Sequence, residues 1–72
     1  MHVSIYTDGG ARGNPGPAAI GVVIKDKEQH IIQEYGEYIG ETTNNVAEYS
    51  ALISALHSAH KLDATHVDCF LD

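Results

Sequence analysis

Three carboxylates in this sequence, Asp8, Glu48 and Asp72, stand where a strand, a helix and a second strand would each present one acid to a common point. Asp8 ends the alternating run Val3, Ser4, Ile5, Tyr6, Thr7, whose period of two is that of a strand. Glycines follow it in Gly9-Gly10-Ala11-Arg12-Gly13-Asn14-Pro15-Gly16-Pro17. A carboxylate at a strand end, beside glycines that admit a ligand to the backbone, suits a metal or phosphate site. Asp-Gly is also a common turn signal, so Asp8 points to a site only if other acids converge on it. Clustered carboxylates without a neighbouring cation repel one another. Hard divalent cations, Mg²⁺ or Mn²⁺, relieve that repulsion with oxygen ligands. Two such ions about 3.5–4 Å apart can carry in-line phosphoryl chemistry.

The elements that would position these acids are legible in order. Residues 2–8 read as the first strand and 9–17 as a loop, with Pro15-Gly16 at the centre of a type II turn. Ala18 to Lys25 reads as a second strand, nearly continuously apolar and so expected to be covered on both faces. Gly21 within it points to a bulge or a close neighbour. Asp26-Lys27-Glu28-Gln29 is a polar hairpin turn. His30 to Ile39 is a third strand whose mixed faces suit a sheet edge. Short loops make these strands an antiparallel meander.

The period then changes. Thr43 is a good N-cap, a role that Asn44 or Asn45 could share. Val46 to about His60 lacks Pro and Gly and reads as a helix. Steps of three and four from Glu48 reach Ala51, Leu52, Ala55 and Ala59, which puts Glu48 on the small, apolar stripe that packs against the sheet. It also lies near the helix's positive end, which favours its ionised form. Leu62-Asp63-Ala64-Thr65 connects to a fourth strand, His66 to Leu71. The helical crossover predicts that this strand runs parallel to the first. Asp8 and Asp72 would then end neighbouring strands about 4.7–4.9 Å apart. The expected fold class is α/β: three antiparallel strands, a helix, and a parallel fourth strand in a mixed, truncated sheet.

Composition bounds the function. At 72 residues the chain is one small domain at most. Its single Cys, Cys69, allows neither an internal disulfide nor a multi-cysteine zinc site. The five His are scattered and show no ligand spacing, and most are expected at the surface. No segment is apolar enough to span a membrane, and the start lacks the order of a signal peptide, so the expected location is cytoplasmic. The net charge of −6 argues against nucleic acid but suits a divalent-cation site.

Two stretches carry a resemblance. Tyr6-Thr7-Asp8-Gly9-Gly10-Ala11-Arg12-Gly13-Asn14-Pro15-Gly16-Pro17 and Thr43-Asn44-Asn45-Val46-Ala47-Glu48-Tyr49 resemble the two signatures of type 1 ribonuclease H, and Phe70-Leu71-Asp72 resembles the stretch with that family's third acid. The resemblance covers the chain in order and looks most like the bacterial and archaeal branch. It implies an endonuclease that cuts the RNA strand of RNA–DNA hybrids with two Mg²⁺, for which Mn²⁺ can substitute. By resemblance, Asp8, Glu48 and Asp72 are the catalytic metal ligands. Asn14, Asn44 and Asn45 contact the hybrid in its minor groove, and the backbone of Gly10, Ala11 and Arg12 approaches RNA. Short amides and bare backbone can read 2′-hydroxyls in such a groove.

The family's domain is about twice this length. Its further helices, fifth strand, fourth acidic ligand and product-release His match nothing here. Residues 1–72 therefore correspond to the N-terminal half of the domain, expected to be inactive alone and either poorly folded or assembled with a second copy through the exposed edge of the fourth strand. The alternatives are a non-catalytic metal- or hybrid-binding fragment and another metal-dependent nuclease of the same fold. A P-loop or dinucleotide site is disfavoured, because Gly-Lys-Ser/Thr is missing and the glycine-rich turn runs into a strand.

Overall fold

The computed structural model describes residues 1–71. The elements are β1 (His2–Ala11), β2 (Gly16–Asp26), β3 (Ile31–Thr42), α1 (Asn44–Lys61) and β4 (His66–Leu71). The sheet order is β3-β2-β1-β4. β1 pairs antiparallel with β2, β2 antiparallel with β3, and β4 parallel with β1. This is the expected mixed sheet, with β3 at one edge and β4 at the other.

Several boundaries differ from the sequence reading. β1 does not stop at Asp8: Gly9, Gly10 and Ala11 pair with Ile20, Ala19 and Ala18 of β2. Glycines weaken a strand, but a complete ladder to β2 holds them extended. The Arg12 amide donates to the Pro17 carbonyl at 2.8 Å and closes a shorter connection. Gly16 belongs to β2, so Pro15-Gly16 is not the centre of a type II turn, and the Asn14–Pro15 peptide bond is cis. β3 continues past Ile39 around Gly40, which has φ +88° where the register with Ala18 and Ala19 slips. Ile39 is the extra residue at this bulge, and Gly40 beside it, paired with Ala18, takes the positive φ that lets pairing resume. Gly21 sits in regular register opposite Asp8, with no bulge.

β2 is covered on one face and not on both. Ala18, Ile20, Val22 and Ile24 are buried, whereas Ala19 is exposed and Val23 half-buried. Among the described residues the one helix, α1, packs on one side of the sheet. Its buried residues are Ala47, Ala51, Ala55 and Ala59. Four alanines at successive i+4 positions let the helix backbone approach closely over Val3, Ile5, Val22 and Ile24. Each of those four, fully buried, contributes about 1.5–3 kcal/mol of transfer free energy. Tyr35 ties the edge strand to the helix: its hydroxyl is 2.6 Å from Ser54 Oγ and 3.0 Å from Ser58 Oγ.

Local chemistry sets the helix ends. Thr43 Oγ1 accepts from the Val46 amide at 3.2 Å, so Thr43 holds the N-cap and neither asparagine shares it. At the other end Asp63 donates to the His60 carbonyl and Ala64 to the Ala59 carbonyl. Those two bonds form a Schellman closure with Asp63 in the left-handed region at φ 59°. No described helix is long and apolar enough to cross a membrane.

Candidate active site

The two signature stretches meet in space through backbone and amide groups. Gly9, the residue after Asp8, lies against the first turns of α1: a Cβ built there would come within 2.7 Å of the Glu48 amide nitrogen. Asn44 Oδ1 accepts from the Ala11 amide at 2.7 Å, and Asn14 Oδ1 accepts from the Asn44 amide at 3.0 Å. A backbone N–H must be met by an oxygen, so each asparagine commits its carbonyl oxygen to structure. Its NH₂ is the group that remains to face a ligand. Residues 10–14 are thereby pinned to the start of α1, and Gly10, Arg12, Asn14, Asn44 and Asn45 are exposed, with Ala11 half-buried.

The acids are placed differently from one another. Asp8 is exposed and helps wall a shallow concavity of about 700 Å³ with Tyr6, Gly21, Val23, Glu34 and Phe70. Gly21 and Gly36, opposite Asp8 across β2 and β3, leave its floor bare. Glu48 is exposed, which corrects the expectation that it lies on the buried stripe. That stripe begins at Ala47, one residue and about 100° of helix earlier, because the Ala47 carbonyl is the group seated on Gly9. Glu48 therefore flanks the packing face. Asp72, the third acid, lies outside the described residues.

Sequence spacing missed one convergence. Among the described residues, two sets of His, Asp and Glu side chains come close enough to share an ion: His2, His66 and Asp68, and Asp26, Glu28 and His30. In the first set, His2 and His66 are register partners on parallel strands, far apart in sequence, so no local spacing could reveal them. All five His are exposed, where the sequence led us to expect most of them to be. In the second set, Asp26 Oδ1 accepts from the Glu28 and His30 amides, both at 2.9 Å, and closes the β2–β3 turn. The His30 amide is the main influence that holds the Asp26 carboxyl below its ordinary value of 3.8.

A mixed sheet with one crossover helix, carrying an acid beside a glycine-rich stretch of its first strand, defines an α/β domain. The RNase H family model matches residues 1–71, and the chain belongs to the RNase H family. Ribonuclease HI of Halobacterium salinarum is 54% identical over 57 residues, covering 79% of this chain and 29% of that protein. The crystal structure of RNase H1 from the same archaeon superposes with a TM-score of 0.95 at 44% identity, covering 100% of this chain and 55% of that one. LC11-RNase H1, solved in complex with RNA/DNA hybrid, superposes with a TM-score of 0.89 at 53% identity, covering 96% of this chain and 53% of that one. The chain thus spans about half the length of the solved structures it matches.

Proposed function

We propose that this chain is the N-terminal half of a ribonuclease H domain, and that the complete domain hydrolyses the RNA strand of RNA–DNA hybrids with divalent metal ions. The observation that carries this reading is the asparagine bridge Asn14–Asn44–Ala11, which joins the two signature stretches beside the segments bearing Asp8 and Glu48. The complex of LC11-RNase H1 with RNA/DNA hybrid supports the substrate class.

The donor set fits hard cations. Asp8 and Glu48 are exposed oxygen donors on segments in backbone contact, and Asp72 follows the end of β4 in sequence. These three would hold Mg²⁺, or Mn²⁺ in its place. Two such ions, when bound, supply an activated water and neutralise charge on the phosphate. The chain's own groups do the recognition. The NH₂ groups of Asn14 and Asn44, with Asn45 and the backbone from Gly10 to Arg12, face the minor groove and read 2′-hydroxyls. The exposed β4 edge, with Phe70 and Leu71, is where we place the remainder of the domain in preference to a second copy.

A hybrid-cleavage assay tests the reading. The chain alone with Mg²⁺ is expected to be inactive, and the chain joined to a relative's C-terminal half is expected to cut only the RNA strand. Asp8→Asn in the joined protein should abolish turnover. A joined protein that folds and still leaves hybrid intact would refute the assignment. Binding of hybrid without cleavage would favour a non-catalytic binding fragment.

A further inference from the structure

We propose that His2, His66 and Asp68 form a three-ligand site for a zinc-class divalent cation that clamps the start of β4 to the start of β1. His2 Nε2 lies 2.7 Å from Asp68 Oδ2, and His66 Nε2 lies 3.2 Å from Asp68 Oδ1. The two imidazole rings are 4.1 Å apart, tilted by 55°. The candidate ligand atoms of all three residues lie within 4.8 Å of one another. Two ring nitrogens therefore point at one carboxylate, one to each oxygen.

The backbone arranges this. His2 pairs with His66 and Ser4 with Asp68 across parallel strands, so the period of two puts the three side chains on one face. The same end is laced independently. The Met1 carbonyl accepts from the Thr65 amide at 2.8 Å, and the Met1 amino group donates to Thr65 Oγ1 at 3.1 Å. Neither histidine needs to be gathered from solution before a ligand arrives.

The donor types choose the ion. Imidazole nitrogen suits zinc, copper, nickel and iron, whereas Mg²⁺ takes oxygen ligands. Zn–N bonds of about 2.0–2.1 Å put tetrahedral ligands about 3.3 Å apart. The observed 3.2 Å is already close to that separation, and the 2.7 Å contact needs to widen by roughly half an ångström. Three protein ligands leave a fourth position to water, and side-chain exposures of 42%, 62% and 46% keep that position reachable. Asp8 lies six residues along β1 from His2, roughly 20 Å away at strand rise. This site is thus separate from the proposed catalytic acids, and the inference stands whether or not the ribonuclease reading does.

The test is titration of the chain with Zn²⁺ in buffer containing Mg²⁺, read by competition with a chromophoric chelator and by thermal unfolding. The expected result is one Zn²⁺ per chain and a rise in midpoint of about 5 °C or more at saturation. His66→Gln and Asp68→Asn should each weaken binding at least about tenfold, a ligand's loss. Glu48→Gln should retain it. In proton NMR of the unsubstituted chain, which needs no folded variant, the ring signals of His2 and His66 should shift together while those of His57 and His60 stay put. Absence of saturable binding, binding unchanged in both ligand variants, loss in Glu48→Gln, or histidines that respond alike would each overturn the proposal.

Discussion

Gly9 and Glu48 are in backbone contact, with room at position 9 for a hydrogen and not for a methyl group: an added Cβ would stand 2.7 Å from the Glu48 amide nitrogen. The strand that carries one acid and the helix that carries another are therefore set against each other with nothing between them. Gly9→Ala must push the first turns of α1 off the sheet. Overpacking of this kind costs about 1–3 kcal/mol. The expected outcome is a midpoint lower by roughly 4–8 °C for each kcal/mol lost, measured by circular dichroism. In the joined domain it should also lower hybrid cleavage, because Asp8 and Glu48 shift relative to each other.

Asn44 is expected to have two separable roles. Asn44→Ala removes the acceptor for the Ala11 amide and should cost about 1 kcal/mol in urea unfolding. Asn44→Asp keeps that acceptor, and its charge suits the first turn of a helix, so stability should stay within about 0.5 kcal/mol of the parent. It loses the NH₂ donor and adds a negative charge. Hybrid affinity of the joined domain should therefore fall for both variants. A variant Asn44→Asp that binds hybrid as well as the parent would assign the residue a purely structural role.

Asp63 sits at the C′ position of α1 with φ 59°, where glycine has no Cβ penalty. Its negative charge also opposes the carbonyl end of the helix. Holding an L-residue in that region costs about 1–2 kcal/mol, and the freer unfolded chain of a glycine offsets about 0.4–1 of it, so Asp63→Gly should stabilise the chain by up to about 1 kcal/mol. Thermal unfolding reads this as a higher midpoint.

The β2–β3 turn makes stability fall in acid. The amide and ring of His30 and the amide of Glu28 hold the Asp26 carboxyl below its ordinary 3.8. The unfolded chain therefore takes up its proton first as pH drops. The contribution is fully present above that ordinary value and drains away as pH falls through the lower, folded value. Asp26→Asn keeps an acceptor for both amides while removing the titration, so its stability should change less with pH between about 5 and 2. Urea midpoints at several pH values check it.

How much was legible follows from which interactions are local. The alternation from Val3 to Thr7, the Thr43 cap and the Pro-free run after it depend on neighbours a few residues away, and they determined strand, helix and strand in order. The short turn at Asp26 and the long helical crossover determined the antiparallel meander and the parallel β4. Only the tertiary structure decided where the alanine stripe begins, because the seat of Ala47 on Gly9 sets the helix's rotation. It alone paired Asn14 with Asn44, and His2 with His66 beside Asp68. Those contacts join segments remote in sequence, and register across a sheet, not spacing along a chain, determines which side chains face one another.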